Sequence, residues 1–565
     1  MQQLPRNHCR DPTHACQKQA QAHHYSGKRQ QRQFSEPADQ LFGEKEHGHL
    51  AQRRNAVQNS NQFLGIPLLY HINPHKGATE VQSGTGKEGK NQKYRNLPVF
   101  KNFPLRFFRF GGCLGFPFSV RWNHGPHNPC KQQMDEHCQY LNIWTQSLDP
   151  NAKKPVMVWL HGGGFVAGSS IEQVTYDGEN LSRNGDVVVI TLNHRLNILG
   201  YLDLSPFGEE YKNSGNAGNA DMVAALQWIH NNIANFGGDP ENVTLFGQSG
   251  GGMKVWTLMQ TPAADGLFHK GVVQSGCMDS YLPEDPGDGR QIVTAMMEKL
   301  NLTDVHELET VPYPALVDAY LSVAPALKAA GAYVGGNPMP NDWYLGDPCV
   351  VGFRDHAKTI PVMVGTVLGE FSFMPALDPE IKNDPEQVDA LLRSRYGEHT
   401  EELKKLFASV YPDKHISDLL YLDSVMRAPS SRFIAEKARH PESPTYSFLF
   451  TYTFPFDSGH IAWHCGEIPF VFHNTALVPA YNEEGVTDLL EKQMSDAWLN
   501  FARTGNPSSD ALPQWPACTP GDEACMIFDR NCQLRHNHDH ALIALHKKAA
   551  PAFSFEEDED NKVQH

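Results

Sequence analysis

The stretch Asn242-Val-Thr-Leu-Phe-Gly-Gln-Ser-Gly-Gly-Gly-Met253 decides how this chain is read. Val243 to Phe246 is a short apolar run rich in β-formers, and it reads as a buried strand. Gly247 and the glycines after Ser249 let the backbone turn sharply at a residue that is not glycine. Met253 to Gln260 then reads as a helix, so the pattern Gly247-x-Ser249-x-Gly251 sits at a strand–helix corner. Such a corner lifts the Ser249 hydroxyl clear of the sheet edge and aims the Gly250 N–H at the same spot. The helix N-terminus behind it favours developing negative charge. Taken alone, the pattern is equally a glycine-rich turn that happens to hold a serine. The flanking sequence separates the two readings.

Upstream, Tyr140 to Trp144 alternates as a strand does, and Pro155-Val-Met-Val-Trp-Leu160 is a continuous apolar run suited to a strand buried on both faces. That run ends in His161-Gly-Gly-Gly-Phe165. Asp186 to Leu192 reads as the next buried strand. Asp221 to Asn235 carries Met222, Leu226, Ile229 and Ile233 at near-helical spacing, which predicts a helix packed on the sheet. Downstream of the corner, Lys270 to Ser275 and Ile360 to Thr366 read as strands, with a helical insertion over 280–355 between them. Residues 384–440 read as helical, Thr445 to Thr453 as strand, and Leu489 to Arg503 as an amphipathic helix ending at Gly505. Strands alternating with helices predict an α/β fold, a mostly parallel sheet covered on both faces.

The 565 residues exceed one ordinary core, so the chain holds either several domains or one large α/β domain with insertions. A net charge of −16 argues against a nucleic-acid partner. No run of about 18 apolar residues is present, so no membrane span is expected. The first residues lack an apolar signal core, and eleven cysteines fall without a repeating spacing, which together favour reduced thiols and a cytoplasmic location. The sequons at Asn180, Asn242 and Asn301 carry little weight in that setting. Residues 1–60 are rich in Gln, His and Arg and read as a disordered or atypical extension, in which His8, Cys9, His14 and Cys16 fit no zinc spacing. Residues 61–129 read as a divergent N-terminal part of the catalytic domain, which itself spans 130–550. Within that part, Ser83 to Lys90 is glycine- and lysine-rich but lacks the spacing of a phosphate loop. Residues 551–565 read as an acidic tail, with His536, His538 and His540 in a polar loop before it.

Acyl transfer needs a nucleophile, a base, a group that orients the base, and donors for the oxyanion. Gly162 to Gly164 follows a strand ahead of the nucleophile corner, where bare N–H groups can approach a substrate carbonyl; a flexible turn is the plain alternative. Glu370 taken alone is an ordinary surface glutamate.

The arrangement resembles the type-B carboxylesterases, the α/β-hydrolase family that also contains the cholinesterases. The resemblance is carried by Cys138-Gln-Tyr-Leu-Asn-Ile-Trp144, His161-Gly-Gly-Gly-Phe165, Asn193-His-Arg195, Gly215-Asn-Ala-Gly218 with Asp221, and Asn235 to Thr244. The Ser249 corner, Glu467-Ile-Pro-Phe470 and Trp498 to Pro507 complete it, over roughly residues 130–530. It implies a serine carboxylesterase with a Ser249–Glu370–His464 triad, working on small-molecule esters through an acyl-enzyme. It further implies an oxyanion hole of Gly163, Gly164 and Gly250, with no metal or organic cofactor. His464 falls on the base position and His460 does not, while Glu467 falls where it braces the histidine loop. Two alternatives on the same fold are a non-catalytic binding protein and an amidase or thioesterase. The chain departs from the family at the corner, where Gly-Glu-Ser-Ala-Gly is usual and Gln248 and Gly250 stand here. It departs again at Glu136-His137-Cys138, where Glu-Asp-Cys is usual, and across 68–128, where only Phe63 to Pro67 before it resembles the family's start.

Overall fold

Strand alternation explains the whole centre of the molecule. A computed structural model describes residues 68–72, 81–82, 138–279, 287–371 and 377–552. The extension 1–60, Phe63 to Pro67, the Ser83–Lys90 loop and the acidic tail from Phe553 lie outside the described residues. The strands are β1 (Leu68–Ile72), β2 (Val81–Gln82), β3 (Leu141–Thr145), β4 (Lys154–Leu160), β5 (Val188–Leu192) and β6 (Gly238–Gln248). They continue with β7 (Lys270–Gln274), β8 (Val362–Val367), β9 (Thr445–Phe450), β10 (Ala524–Phe528) and β11 (Gln533–His536). One sheet takes them in the order β11-β10-β9-β8-β7-β6-β4-β5-β3-β1-β2. The seven strands from β10 to β5 in that order run parallel. β3 is antiparallel to β5, β1 runs parallel to β3, and β2 and β11 close the edges antiparallel.

Successive side chains of a strand point to opposite faces, and the core divides accordingly. Val156, Val158 and Leu160 of β4 pack in one layer with Leu226, Ile229, Val255 and Met259. Met157 and Trp159 of the same strand pack in the other, with Leu490, Met494, Trp498 and Phe501. The first layer is covered by helices Ala217–Asn232 and Gly250–Met259, the second by helix Thr487–Thr504. Burying both faces removes the need for polar alternation, so the central strands read as unbroken apolar runs. Met222, Leu226, Ile229 and Ile233 are all buried, as their spacing requires. The helix itself starts a turn earlier than its apolar spacing indicates, at Ala217.

The insertion holds helices Arg290–Leu300 and Tyr313–Ala329, which form a satellite apolar cluster with Ile198, Leu202 and Leu204. These three residues follow the C-terminal end of β5, so the insertion covers that end of the sheet.

The histidines near the C-terminus require a correction. They do not lie in a polar loop: His536 ends β11, His538 lies in the turn, and His540 opens helix His540–Ala549. His536 pairs with Asp522 and His540 with Glu523, while the His538 ring meets Tyr411 edge-on at 5.1 Å. Short strands with mixed polarity carry too weak a periodic signal to separate them from a loop. Among the described residues no helix is long and apolar enough to cross a membrane.

Candidate active site

Ser249 caps the C-terminal end of β6 with φ 57° and ψ −126°, a conformation that L residues rarely adopt. Two hydrogen bonds hold it there. Its N–H donates to the Gln274 carbonyl on β7 at 2.8 Å, and its carbonyl accepts the Met253 N–H at 3.0 Å, the first bond of helix Gly250–Met259. The neighbouring glycines leave room for that helix to lie directly on the sheet. A Cβ on Gly247 would come within 2.5 Å of the Gly251 carbonyl carbon, and one on Gly251 within 1.9 Å of the Leu160 oxygen. Side chains at either position would lever the helix off β4.

β4 runs beside β6, with Leu160 opposite Gly247, so His161 to Gly164 emerges next to the serine. Gly163 and Gly164 have φ of 84° and 62°. The first three carbonyls of the loop are engaged. The His161 oxygen accepts from the Lys254 ammonium at 2.8 Å, the Gly162 oxygen from the His161 ring at 2.8 Å, and the Gly163 oxygen from the Val166 and Ala167 N–H groups. Each peptide so engaged presents its N–H at the opposite end. Among the described residues, no hydrogen bond is donated by the N–H of Gly163, Gly164 or Gly250. The corner and the loop touch: a Cβ on Gly250 would lie 2.3–2.4 Å from the Gly164 oxygen, Cα and nitrogen.

Glu370 and His464 come from loops after β8 and β9. Both are buried, with His464 Nδ1 donating to Glu370 Oε2 at 2.5 Å. The other Glu370 oxygen accepts the Val367 N–H at 2.9 Å, and the His464 N–H donates to the Glu370 carbonyl at 2.8 Å. This doubly anchored carboxylate fixes the proton on Nδ1 and leaves Nε2 as the basic atom. The Phe371 ring lies 4.5 Å from the imidazole, centroid to centroid.

Two further buried carboxyls flank Glu370. Burial, and then the charge of Glu370, pushes Asp423 up to about 7 against the pull of three backbone N–H groups. Burial also pushes Glu467 up to about 7, with the Gln274 amide opposing and Glu370 adding to the rise. Glu467 accepts from Gln274 at 2.9 Å, and Gln274 accepts from Trp498 at 3.1 Å, so this carboxyl ties the histidine loop to β7. His460 donates its Nδ1–H to the carbonyl of Ile461 at 2.8 Å and faces Phe456 and Trp463.

The structure therefore brings Glu370 to His464, and sets the glycine loop against the serine corner. No hydrogen bond joins Ser249 to His464 among the described residues. The Gln248 amide contacts the His464 ring instead. Its Nε2 lies 3.2 Å from both ring nitrogens, and its Oε1 accepts from the Cys465 thiol at 3.1 Å. An amide nitrogen equidistant from the two ring nitrogens lies over the face of the ring, off the in-plane lone pair of Nε2 that a serine–histidine hydrogen bond would use. Hydrogen bonds of this kind are often loose before substrate enters and tighten afterwards.

The sequence singles out Gln248 only as a departure from the family pattern at the corner, and it does not point to Asp423 or Lys254. Asp423 and Lys254 gave no signal, because their burial beside the site depends on distant segments.

Comparison with known proteins adds the rest. The profile of the Carboxylesterase family matches residues 118–543. The para-nitrobenzyl esterase of Bacillus subtilis (strain 168) is 32% identical over 413 residues, covering 72% of this chain and 81% of its own. Carboxylesterase 1D of Rattus norvegicus is 32% identical over 423 residues, covering 68% and 72%. Among solved structures, an esterase from anaerobic Clostridium hathewayi that can hydrolyse aliphatic aromatic polyesters has 53% identity. It superposes with a TM-score of 0.72 over 76% of this chain and 86% of its own.

Proposed function

The chain belongs to the carboxylesterase family and is a carboxylic ester hydrolase, and from that premise we propose that Ser249, Glu370 and His464 are its triad. Gly163, Gly164 and Gly250 would form the oxyanion hole. The observation that carries the assignment is the 2.5 Å bond from His464 to the buried Glu370, beside a serine held at φ 57°.

The chemistry runs as follows. An entering ester places its carbonyl carbon at Ser249 Oγ and its oxygen toward the glycine loop. Ser249 Oγ attacks the carbonyl carbon as its proton passes to Nε2, and Glu370 balances the imidazolium through Nδ1–H. The carbonyl oxygen becomes an oxyanion facing three free N–H donors, each of which typically lowers the barrier by about 2.7–4 kcal/mol. Collapse breaks the ester C–O bond, and the leaving alcohol takes the proton from Nε2. Water then repeats the two steps on the acyl-enzyme, releasing the acid and restoring Ser249.

A fluorophosphonate should label Ser249, and Ser249→Ala should lose roughly 10⁶ in turnover while keeping its melting temperature. Undiminished hydrolysis by that variant would overturn the assignment.

The preferred substrates, on this reading, are esters that carry an aromatic group, including short aliphatic–aromatic oligoesters. Support comes from the names of the two relatives that act on such compounds and from the Phe371 ring against His464. A panel of nitrophenyl esters of graded acyl length, p-nitrobenzyl esters and a terephthalate–butanediol oligomer tests this. Purely aliphatic esters turned over with the higher kcat/KM would refute the preference. A cytoplasmic location belongs to the same proposal, and the free thiols of Cys277, Cys349, Cys518, Cys525 and Cys532 suit a reducing compartment.

A further inference from the structure

Lys254 lies five residues after Ser249 on the same helix and is fully buried. Its ammonium donates to the His161 carbonyl at 2.8 Å and lies 6.0 Å from the Phe165 ring centroid. Among the described residues no carboxylate pairs with it. The carboxyl of Glu172, which accepts from the Ser169 N–H and the Tyr176 hydroxyl, acts on Lys254 without a direct bond. A lone buried ammonium is costly, and an apolar side chain of the same shape would fill the space without that cost.

The ammonium stands at the head of a chain of polarised peptides. It engages the carbonyl of the His161–Gly162 peptide. The His161 ring engages the next carbonyl, whose peptide ends in the Gly163 N–H. Val166 and Ala167 engage the one after, whose peptide ends in the Gly164 N–H. The three peptides are consecutive, so the one that Lys254 holds fixes where the next two begin and which way their N–H groups face.

We propose that Lys254 is a positioning residue for ester hydrolysis: its buried ammonium holds the first peptide of the glycine loop and so sets the direction of the N–H groups that meet the oxyanion. The inference rests on the reading of that loop as the oxyanion hole. It gives the cation a use that packing alone does not, because negative charge appears beside the loop only in the transition state.

Glu172 favours its charge, although burial pushes that carboxyl itself up to about 7, while His161 and His194 face it as neutral imidazoles. Both imidazoles are held neutral by burial, with Lys254 contributing, and each donates Nδ1–H to a backbone carbonyl. Arg195 is paired with Asp221. Burial brings the ammonium down to about 7, with Glu172 opposing. Its charge is therefore present below that value and fades as pH rises through it. Activity should show an alkaline limb of the same origin.

The test uses the full chain with Lys254→Met, which keeps the bulk, and Lys254→Gln, which keeps a donor without charge. kcat and KM are measured on a nitrophenyl ester, together with affinity for a trifluoromethyl ketone, which forms a tetrahedral oxyanion on the serine. The expected result is a fall of about tenfold in both kcat and ketone affinity, with KM unchanged and the alkaline limb gone. Folded variants whose kcat and ketone affinity stay within about twofold of the parent would overturn the proposal. Should neither variant fold, Glu172→Gln tests it with Lys254 in place. Losing the opposing carboxylate should move the alkaline limb to lower pH, and an unmoved limb would refute the idea. Fluorophosphonate labelling of the parent at a residue other than Ser249 would fail the site reading itself, and this inference with it. Labelling at Ser249 with unaffected Lys254 variants would fail this inference alone.

Discussion

Around His464 the three buried carboxyls have different surroundings, and those surroundings separate their roles. Glu370 receives the imidazole N–H and a backbone N–H, whereas Glu467 has one oxygen on Gln274 and the other without a partner. Glu370→Gln should therefore lower kcat by about 10⁴, because an amide can present the wrong group to Nδ1–H. His460→Ala should keep the activity that His464→Ala loses, as measured on one ester under one set of conditions. Glu467→Gln should leave kcat near the parent and act on stability instead. Its pKa rises on folding from 4.5 to about 7, so the native state binds a proton that the unfolded chain has released. Stability from this group is complete below 4.5 and falls as pH climbs through 7, by roughly 3 kcal/mol in all. Melting curves should show the glutamine variant gaining on the parent between pH 5 and 8 (about the window set by those values). A glutamine variant that loses turnover at unchanged melting temperature would exchange the roles of the two acids.

At the scale of elements, the site is a contact between one corner and one loop, and glycines set its closeness. The family resemblance puts alanine where Gly250 stands, yet here a Cβ would meet the Gly164 backbone at 2.3–2.4 Å. Backbone cannot swing aside as a side-chain tip can. Gly250→Ala should therefore displace the glycine loop, costing on the order of 1–3 kcal/mol of stability. It should also remove at least about 10²-fold in kcat as the donors lose their alignment. A variant with parental kcat would show that the loop adapts freely. Gln248 belongs to the same contact. Gln248→Glu would place a carboxylate beside His464 Nε2, favouring the imidazolium, so the acid limb of the pH–rate profile should move to higher pH. The corner and loop were legible in the sequence because glycine runs next to apolar strands are a local signal. β10, β11 and the final helix were not, since their order depends on pairing with β9 and on the buried ion pairs of Arg427 with Glu523 and Asp539.

For the whole molecule, the N-terminal region provides the sharpest contrast. Residues 1–56 hold few large apolar groups, so their removal should leave melting temperature and activity nearly unchanged. Removal of residues 1–90 also takes β1, which pairs with β3 over five residues, and β2. That truncation should melt measurably lower, and equal melting of the two forms would mean that β1 adds nothing to the sheet. The sequence by itself determined the α/β class, the parallel centre of the sheet, the serine corner, the glycine loop and the chain order of Ser249, Glu370 and His464. The first four follow from period-2 and period-3.6 apolar patterns and from glycine placement, which are properties of neighbouring residues, whereas the order of the three site residues is what the family resemblance implies. Only the tertiary structure decided that Glu370, rather than Glu467, lies against His464, that Gln248 bridges the histidine and Cys465, and that Lys254 is buried beneath the loop. Each of these rests on side chains from segments far apart in the chain, and their burial sets both their charge and their partners.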